Sequence, residues 1–361
     1  MFELNFDELD MLSPFEKFKD KITRSDLKPE SKILLMTHND LDGSGPAVLL
    51  KSIFVKTDVI HCSNNNMDRE IMNSMYMANK YDAVFVTDIS CTKETAEKIN
   101  EHYNRKKLYL LDHHRTAEYL NEYDWAFVQS EHIKESFIDE YYKEPIGKPS
   151  ATSITFDFLK YYGLTKYIKN LSLAKELAFM ISAYDSWDWV NVFEKDPKFL
   201  DLNTVFWIYQ PEIFDNIFSK KISEEGARIL DKRENFVLML EKGRNENYIN
   251  SKRESFKKCV LTIDDVSYKA IYCFADSHTP ELFEVMKTDF PEGDIAIINT
   301  GSKLSFRSID NDINVEKLAR KLGGGGHINA SGVHVSSELQ KEYMEKLLTG
   351  TIEKYNQSAN S

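Results

Sequence analysis

Four short stretches of the chain concentrate carboxylates and imidazoles: HNDLDG (38–43), TD (87–88), LDHH (111–114) and AYDSWDW (183–189). His38, Asp40, Asp42, Asp88, Asp112, His113, His114 and Asp185 are residue types that ligate divalent cations or carry protons. Gathered in one crevice without a cation, so many acidic groups would repel one another or sit desolvated. Carboxylates with one or two imidazoles suit Mn2+, with Mg2+, Co2+ or Zn2+ as other occupants. Two such ions about 3.5–4 Å apart form the usual device for hydrolysing phosphate esters. Each stretch also has a plain structural account: Asp42-Gly43 as a turn, Asp88 as a helix cap, Asp112 as the partner of a core histidine. What decides between the accounts is whether the fold brings the stretches together.

The surrounding pattern predicts that it does. KILLMTH (32–38), DVIHCS (58–63), DAVFVTDIS (82–90) and KKLYLLDHH (106–114) are short apolar runs, each followed by a turn and a helical stretch, which points to a parallel α/β sheet. Ligands of open parallel sheets bind outside the carboxyl ends of the strands. His38, Asp40, Asp42, Asp88, Asp112, His113 and His114 all fall there, and Asp185, at the end of the predicted helix LSLAKELAFMISAYDSW, closes the site from the side. Asp188 in the same stretch is a rival to Asp185.

From 150 the pattern turns helical, with Ser150 and Thr152 as cap candidates and a stop at Gly163. Residues 190–258 read as a helical linker. Strands return with KCVLTID, YKAIYCFA, DIAIINT and KLSFRSI, the last two joined by a two-residue GS hairpin signal. The predicted layout is an N-terminal extension over 1–30, an α/β domain over 31–189, the linker over 190–258, a smaller α+β domain over 259–350 and a tail over 351–361. The active site is expected in the cleft between the domains.

The smaller domain carries a second cluster. GGGGHINASG (323–332) follows helical NVEKLARKL, and four glycines cannot continue a helix. Gly324, Gly325, Gly326 and His327 can instead turn backbone N–H groups toward an anion. Arg307, in the strand KLSFRS, offers a planar fork for a phosphate. The alternatives are a helix cap with a loose loop and a solvated surface arginine.

Composition bounds the partners. The chain has 361 residues and a formal charge of −12, with 42% hydrophobic and 29% charged residues, as in a soluble globular protein of more than one domain. A basic stripe for long nucleic acid is missing, so a nucleic-acid ligand should be short. Apolar runs such as AVLLKSIFV are too short to span a bilayer, and the acidic N-terminus lacks the marks of a signal peptide. Cys62, Cys91, Cys259 and Cys273 form no C-x-x-C pair and read as reduced thiols of a cytoplasmic protein. Phe2, Phe6, Phe15 and Phe18 fit packing on the core or on a second subunit, which leaves a homodimer open.

In this order, HNDLDG, the strand-ending TD, DHH and AYDSWDW resemble the four motifs of the DHH phosphoesterase superfamily, which includes RecJ exonucleases, manganese pyrophosphatases, cyclic-dinucleotide phosphodiesterases and nano-RNases. GGGGHINASG, preceded by KLSFRS, is similar to the glycine-rich motif of the DHH-associated C-terminal domain. The resemblance spans about residues 30 to 345. It implies that His38 and Asp40 hold one manganese ion, that Asp42, His113 and Asp185 hold the other, and that Asp88 bridges both. It implies that Asp112 orients the histidines, that His114 faces the substrate phosphate, and that Arg307 and His327 contact substrate. His38 stands two residues before Asp40, where some branches have a spacing of four.

The short HNDLDG form and AYDSWDW most resemble the nano-RNase branch. The expected function is therefore Mn2+-dependent hydrolysis of short RNA to nucleoside 5′-monophosphates. Cyclic nucleotides, cyclic dinucleotides or their linear products, and 3′-phosphoadenosine-5′-phosphate, are the alternative substrates. A pyrophosphatase is disfavoured by the glycine-rich domain, and a long-strand exonuclease by the missing basic channel. A non-catalytic nucleotide-binding protein would be expected to show degenerate motifs.

Overall fold

In the computed structural model the described residues are 14–18, 26–63, 65–102, 107–132, 136–142, 147–310, 313–342, 344–346 and 348–349. Two compact units divide the chain, the first ending at Leu238 and the second beginning at Met239.

The first unit is built on five parallel strands: β1 (Lys32–His38), β2 (Lys56–Cys62), β3 (Ala83–Thr87), β4 (Leu108–Asp112) and β5 (Ala126–Val128), in the order β2-β1-β3-β4-β5. Helices α1 (Leu41–Ile53), α2 (Met67–Met77) and α3 (Lys93–His102) alternate with the strands. After β5 come α4 (Ala151–Tyr161), α5 (Leu171–Asp185), the short α6 (Asp188–Asn191), α7 (Pro197–Tyr209) and α8 (Pro211–Lys221). This is the parallel α/β sheet predicted from the four apolar runs; β5 was not predicted.

Both faces of the sheet are covered, which explains why β3 and β4 are buried at every residue. Ile33, Leu35, Phe85, Tyr109 and Leu111 pack on one side against Phe158 of α4, Leu177 of α5 and α1. Leu34, Met36, Val84, Val86 and Leu110 pack on the other against Ile71 of α2, Ile99 of α3 and Trp125. Phe15 and Phe18 also lie in the first core, Phe15 5.0 Å from Phe127 by ring centroids; Phe2 and Phe6 lie outside the described residues.

The stretch read as a helical linker behaves differently along its length. Phe199, Leu202, Val205 and Phe206 of α7, and Phe214 and Phe218 of α8, belong to the core of the first unit. Only α9 (Lys232–Glu254) has the long, polar character expected of an arm, and the division between the units falls inside it. Its start is fastened by Lys221, whose ammonium donates to Glu234 at 2.6 Å, to Asp231 at 2.7 Å and to the carbonyls of Arg228 and Ile229.

The second unit is a six-stranded mixed sheet ordered β10-β11-β9-β8-β7-β6. Its strands are β6 (Lys257–Ile263), β7 (Val266–Phe274), β8 (Ile295–Asn299), β9 (Lys303–Ser308), β10 (Gly325–His327) and β11 (Ala330–His334), with β7 and β8 parallel and the other pairs antiparallel. Helix α10 (Thr279–Asp289) covers one face through Leu282, Phe283 and Met286, and α11 (Val315–Lys321) covers the other through Val315 and Leu318. The GS turn joins β8 to β9 as predicted, with the Thr300 amide bonded to the Lys303 carbonyl at 2.9 Å. Among the described residues Cys62, Cys91, Cys259 and Cys273 are free thiols, and no helix is long and apolar enough to cross a membrane.

Candidate metal and phosphoester site

The strand order reverses direction between β1 and β3, and ligands of open α/β sheets bind at such a switch point. His38 ends β1, Asp88 follows β3, and Asp112 ends β4 with His113 and His114 just beyond. The ends of β1 and β3 are locked together. The buried hydroxyl of Thr37 donates to the Gly43 carbonyl at 2.8 Å, and that of Thr87 donates to the Thr37 oxygen at 2.8 Å. This threonine pair, one residue before His38 and one before Asp88, was not singled out in the sequence. The repeated T-H and T-D at strand ends was the available signal.

The loop after β1 turns tightly into α1. Asp40 caps that helix, its Oδ1 accepting from the Gly43 amide at 2.9 Å. Gly43 and Gly45 are required by close approach: a Cβ on Gly43 would stand 2.2 Å from the His38 carbonyl oxygen, and one on Gly45 1.9 Å from the Thr152 hydroxyl. The second approach lets Asp42 reach the start of α4. There its carboxylate accepts from the amides of Ala151 at 2.7 Å and Thr152 at 3.0 Å, a favourable place for a negative charge.

The side chains converge. His38 Nδ1 is 2.6 Å from Asp40 Oδ2 and 3.8 Å from Asp88 Oδ2. His113 Nε2 is 3.2 Å from Asp88, 3.6 Å from Asp42 and 3.6 Å from Asp185. Three groups have their donor atoms within 4.8 Å of one another: His38 with Asp40 and Asp88, Asp42 with His113 and Asp185, and Asp88 with Asp112, His113 and His114; the first two are the candidate ligand sets. Asp88 lies within reach of both.

Asp112 is engaged differently. Its Oδ1 accepts from His114 Nδ1 at 2.8 Å and from the His113 amide at 2.8 Å, and its Oδ2 accepts from the Ser90 hydroxyl. Asp188 is not in the cluster; its carboxylate is buried and accepts from the Tyr142 hydroxyl at 2.8 Å. Of the two candidates in AYDSWDW, Asp185 is the one brought to His113.

The electrostatics of the cluster call for a cation. Asp88 is 3% exposed, and its Oδ2 has no hydrogen-bond partner. Burial, and then the charges of Asp42, Asp40, Asp112 and Asp185, push its carboxyl well above the usual range. Asp185 is raised in the same way, by burial first and then by Asp42 and Asp40. Burial also works to raise Asp40, but hydrogen bonds from His38 and the Gly43 amide outweigh it and hold the carboxyl at about 2. The Asp112 hydrogen bond pushes His114 up to about 9. A native fold leaves a buried carboxylate oxygen unpaired among other carboxylates only for a reason. Divalent cations fit that gap: the donors are oxygens and imidazole nitrogens, and the oxygens outnumber the nitrogens.

His61, which matched no motif, sits on β2 beside β1. Its Nδ1 is 3.1 Å from the His38 carbonyl and its Nε2 2.9 Å from the buried Asp215 of α8. It supports the backbone of His38 and does not join the cluster.

In the second unit Arg307 of β9 lies opposite Ala330 of β11, and Ala330 lies opposite His327 of β10. Directly opposed residues of antiparallel strands share a face, so Arg307 and His327 are on the same face with only an alanine between them. The guanidinium carbon lies 4.9 Å above the Phe283 ring, and among the described residues Arg307 forms no ion pair. The glycine run is not the open anion nest expected from the sequence: Gly325–His327 is an edge strand. A Cβ on Gly326, with φ +142°, would stand 2.6 Å from the Ala330 carbonyl oxygen. Glycine is needed there for the close hairpin.

No model of a known protein family matches the chain. It is 31% identical over 317 residues to the oligoribonuclease NrnB of Bacillus subtilis, covering 86% of this chain and 74% of that protein. Solved structures similar to it include a pGpG-specific phosphodiesterase, PggH, of Vibrio cholerae, with 15% identity, 90% of this chain and 99% of that one covered, and a TM-score of 0.42. An exopolyphosphatase-related protein of Bacteroides fragilis matches with 15% identity, 100% of both chains covered and a TM-score of 0.40. Likenesses at these TM-scores carry no functional weight, whereas the sequence relation spans most of both chains.

Proposed function

Because the chain belongs to the DHH phosphoesterase superfamily, in the branch of the oligoribonuclease NrnB, we propose that it hydrolyses short oligoribonucleotides to nucleoside 5′-monophosphates with two divalent cations, Mn2+ by preference and Mg2+ or Co2+ as substitutes. It is a metal-dependent phosphoesterase, and the observation that carries the reading is the buried, unpartnered Asp88 oxygen between two sets of ligands.

In this reading His38 and Asp40 would hold one cation and Asp42, His113 and Asp185 the other, with Asp88 within reach of both sets. Cations held there supply Lewis acidity that neutralises phosphoryl oxygens and lowers the pKa of water. The rest is done by the chain. Asp112 fixes the ring of His114 through Nδ1, which leaves Nε2 as the atom offered to substrate. The Asp112 hydrogen bond raises the imidazole pKa, so His114 is placed to donate to a phosphate oxygen and to hand a proton to the leaving oxygen. The amides of Ala151 and Thr152 hold Asp42 so that it does not swing with substrate. Arg307, with Gly324, Gly325, Gly326 and His327 beside it, takes a second anionic group of the substrate; its guanidinium donates to the Phe306 carbonyl at 3.1 Å and keeps further N–H groups for a phosphate.

The acidic balance of −12 supports a short substrate. The test is a product time course with 5′-labelled RNA of two to five nucleotides, a long RNA, 3′-phosphoadenosine-5′-phosphate and a cyclic dinucleotide, each with Mn2+ or EDTA. Mn2+-dependent loss of the short RNAs ahead of the others is expected. Preference for the cyclic or the monomeric substrate would overturn the substrate, and turnover undiminished in EDTA would overturn the mechanism.

A further inference from the structure

We propose that Trp187 is a stacking platform for a nucleobase next to the phosphate being cleaved, an inference that rests on the oligonucleotide reading above. Helix α5 ends at Asp185, and Trp187 follows two residues later with its side chain 63% exposed. Tryptophan is among the more buried residue types on average, so this exposure does not serve the core. The backbone holds it in place: Trp187 has φ +63°, a left-handed conformation that is strained for a bulky residue. Its N–H donates to the Tyr184 carbonyl at 3.2 Å, and its own carbonyl accepts from Val190 at 3.0 Å and Asn191 at 3.1 Å. The next residue is pinned by the Tyr142–Asp188 hydrogen bond.

The ring is also backed on one side. Trp187 and Trp189 lie 6.3 Å apart by centroids at 27°, and Trp189 and Tyr184 5.7 Å apart at 19°. Trp189 and Tyr184 are partly buried against the first core. The three rings thus form a near-parallel ladder, anchored at one end and open at Trp187. Two residues of chain span at most about 7 Å, so the backbone of Trp187 stands within that distance of the backbone of Asp185. Strain at a residue whose bulk is given to solvent, beside a phosphoester site, fits a mount for an aromatic ligand. Base–aromatic stacking is tolerant of sequence and adds affinity that a phosphate contact cannot.

The variants are Trp187→Leu, which keeps the apolar bulk but lacks a ring face, and Trp187→Phe, which keeps a face. kcat/KM is measured with pApA and with pApA analogues abasic at either position. The ratio of base-bearing to abasic turnover should fall about five- to hundredfold in Trp187→Leu, mainly through KM, and return largely in Trp187→Phe. In EDTA, pApA should quench the fluorescence of the parent protein and not that of Trp187→Leu. An unchanged ratio in Trp187→Leu would overturn the proposal, as would a change only in self-association seen by light scattering. If the parent hydrolyses no oligonucleotide, the functional reading fails, and the quenching experiment still decides the stacking site.

Discussion

Asp88→Asn should make the metal-free protein more stable and the enzyme inactive. The substitution suits the site: Asp88 has φ +59°, a conformation that asparagine tolerates as well as aspartate and alanine does not. The amide oxygen can keep the contact with His113, now 3.2 Å. What is lost is a carboxyl that is 3% exposed and leaves one oxygen unpaired. The side-chain nitrogen that replaces this oxygen is a donor facing the Asp40 carboxylate of the same ligand set, which relieves the cost of about 1–3 kcal/mol that an unpaired buried polar group carries. Two carboxylates 4.8 Å apart, the outer limit of the ligand sets, add roughly 3 kcal/mol of repulsion at an effective dielectric constant near 20 if both ionise.

The folded-state pKa of Asp88 is raised, so the folded protein holds its proton at pH values where the unfolded chain has lost it. The destabilisation is therefore small below about pH 4 and grows as pH rises toward the folded-state value. In EDTA at pH 8 the variant should gain about 1–3 kcal/mol, which is roughly 3–9 °C in Tm for a unit of this size, with the difference shrinking toward pH 5. Adding Mn2+ should reverse the order. The parent would gain about 2.7 kcal/mol at a hundredfold excess over Kd, and the variant little. Differential scanning fluorimetry at both pH values, with EDTA or Mn2+, reads all four conditions. A variant less stable than the parent at pH 8 in EDTA, or one stabilised equally by Mn2+, would refute the reasoning and make Asp88 a structural support.

Lys221→Met should destabilise the first unit by about 3–5 kcal/mol, because Glu234, which is fully buried, loses the ammonium 2.6 Å away; urea denaturation measures it, and the double variant Lys221→Met, Glu234→Leu should recover much of the loss. Arg307→Ala should raise KM about tenfold or more with kcat little changed, and Arg307→Lys should not restore it, since a point charge lacks the planar fork; steady-state kinetics on a short RNA would show otherwise through an unchanged KM. The His114 pKa, about 9 in the folded protein, is above its unfolded value of about 6.5. The Asp112–His114 contact thus contributes stability that is full below about pH 6.5 and is lost as pH rises through about 9. The contribution is modest because half the ring is exposed. His114→Gln should flatten that part of the stability–pH curve in EDTA, and an unaltered slope would show that the pair is not charged.

Much of the site could be read before the fold because its chemistry is local. A run of buried residues that ends in a charged one has few places to go in a parallel sheet, so Asp88 and Asp112 could be assigned to strand ends from KYDAVFVTD and LYLLD alone. The GS hairpin and the Ser150 cap are local in the same sense, fixed by turn geometry and hydrogen bonds within a few residues. Residues 197–221 were harder. Their charged surface reads as a solvated arm, while the phenylalanines that enter the core are spaced along two helices with a break at Gln210. The glycine run permits a nest as well as a strand because glycine adopts many conformations, and the sequence does not say which neighbour comes close.

The type of sheet, the ends of its strands and the residue types gathered at those ends follow from apolar periodicity and turn chemistry, which act over a few residues. Long-range packing settles which aspartate of AYDSWDW reaches His113, that Asp42 rests on the amides of α4, and that Arg307 and His327 share one face. Those outcomes depend on the meeting of segments up to about a hundred residues apart, such as Asp42 with Ala151, 109 positions on. Close packing, close enough to demand glycine at 43 and 45, selects one such meeting from many that the local pattern allows.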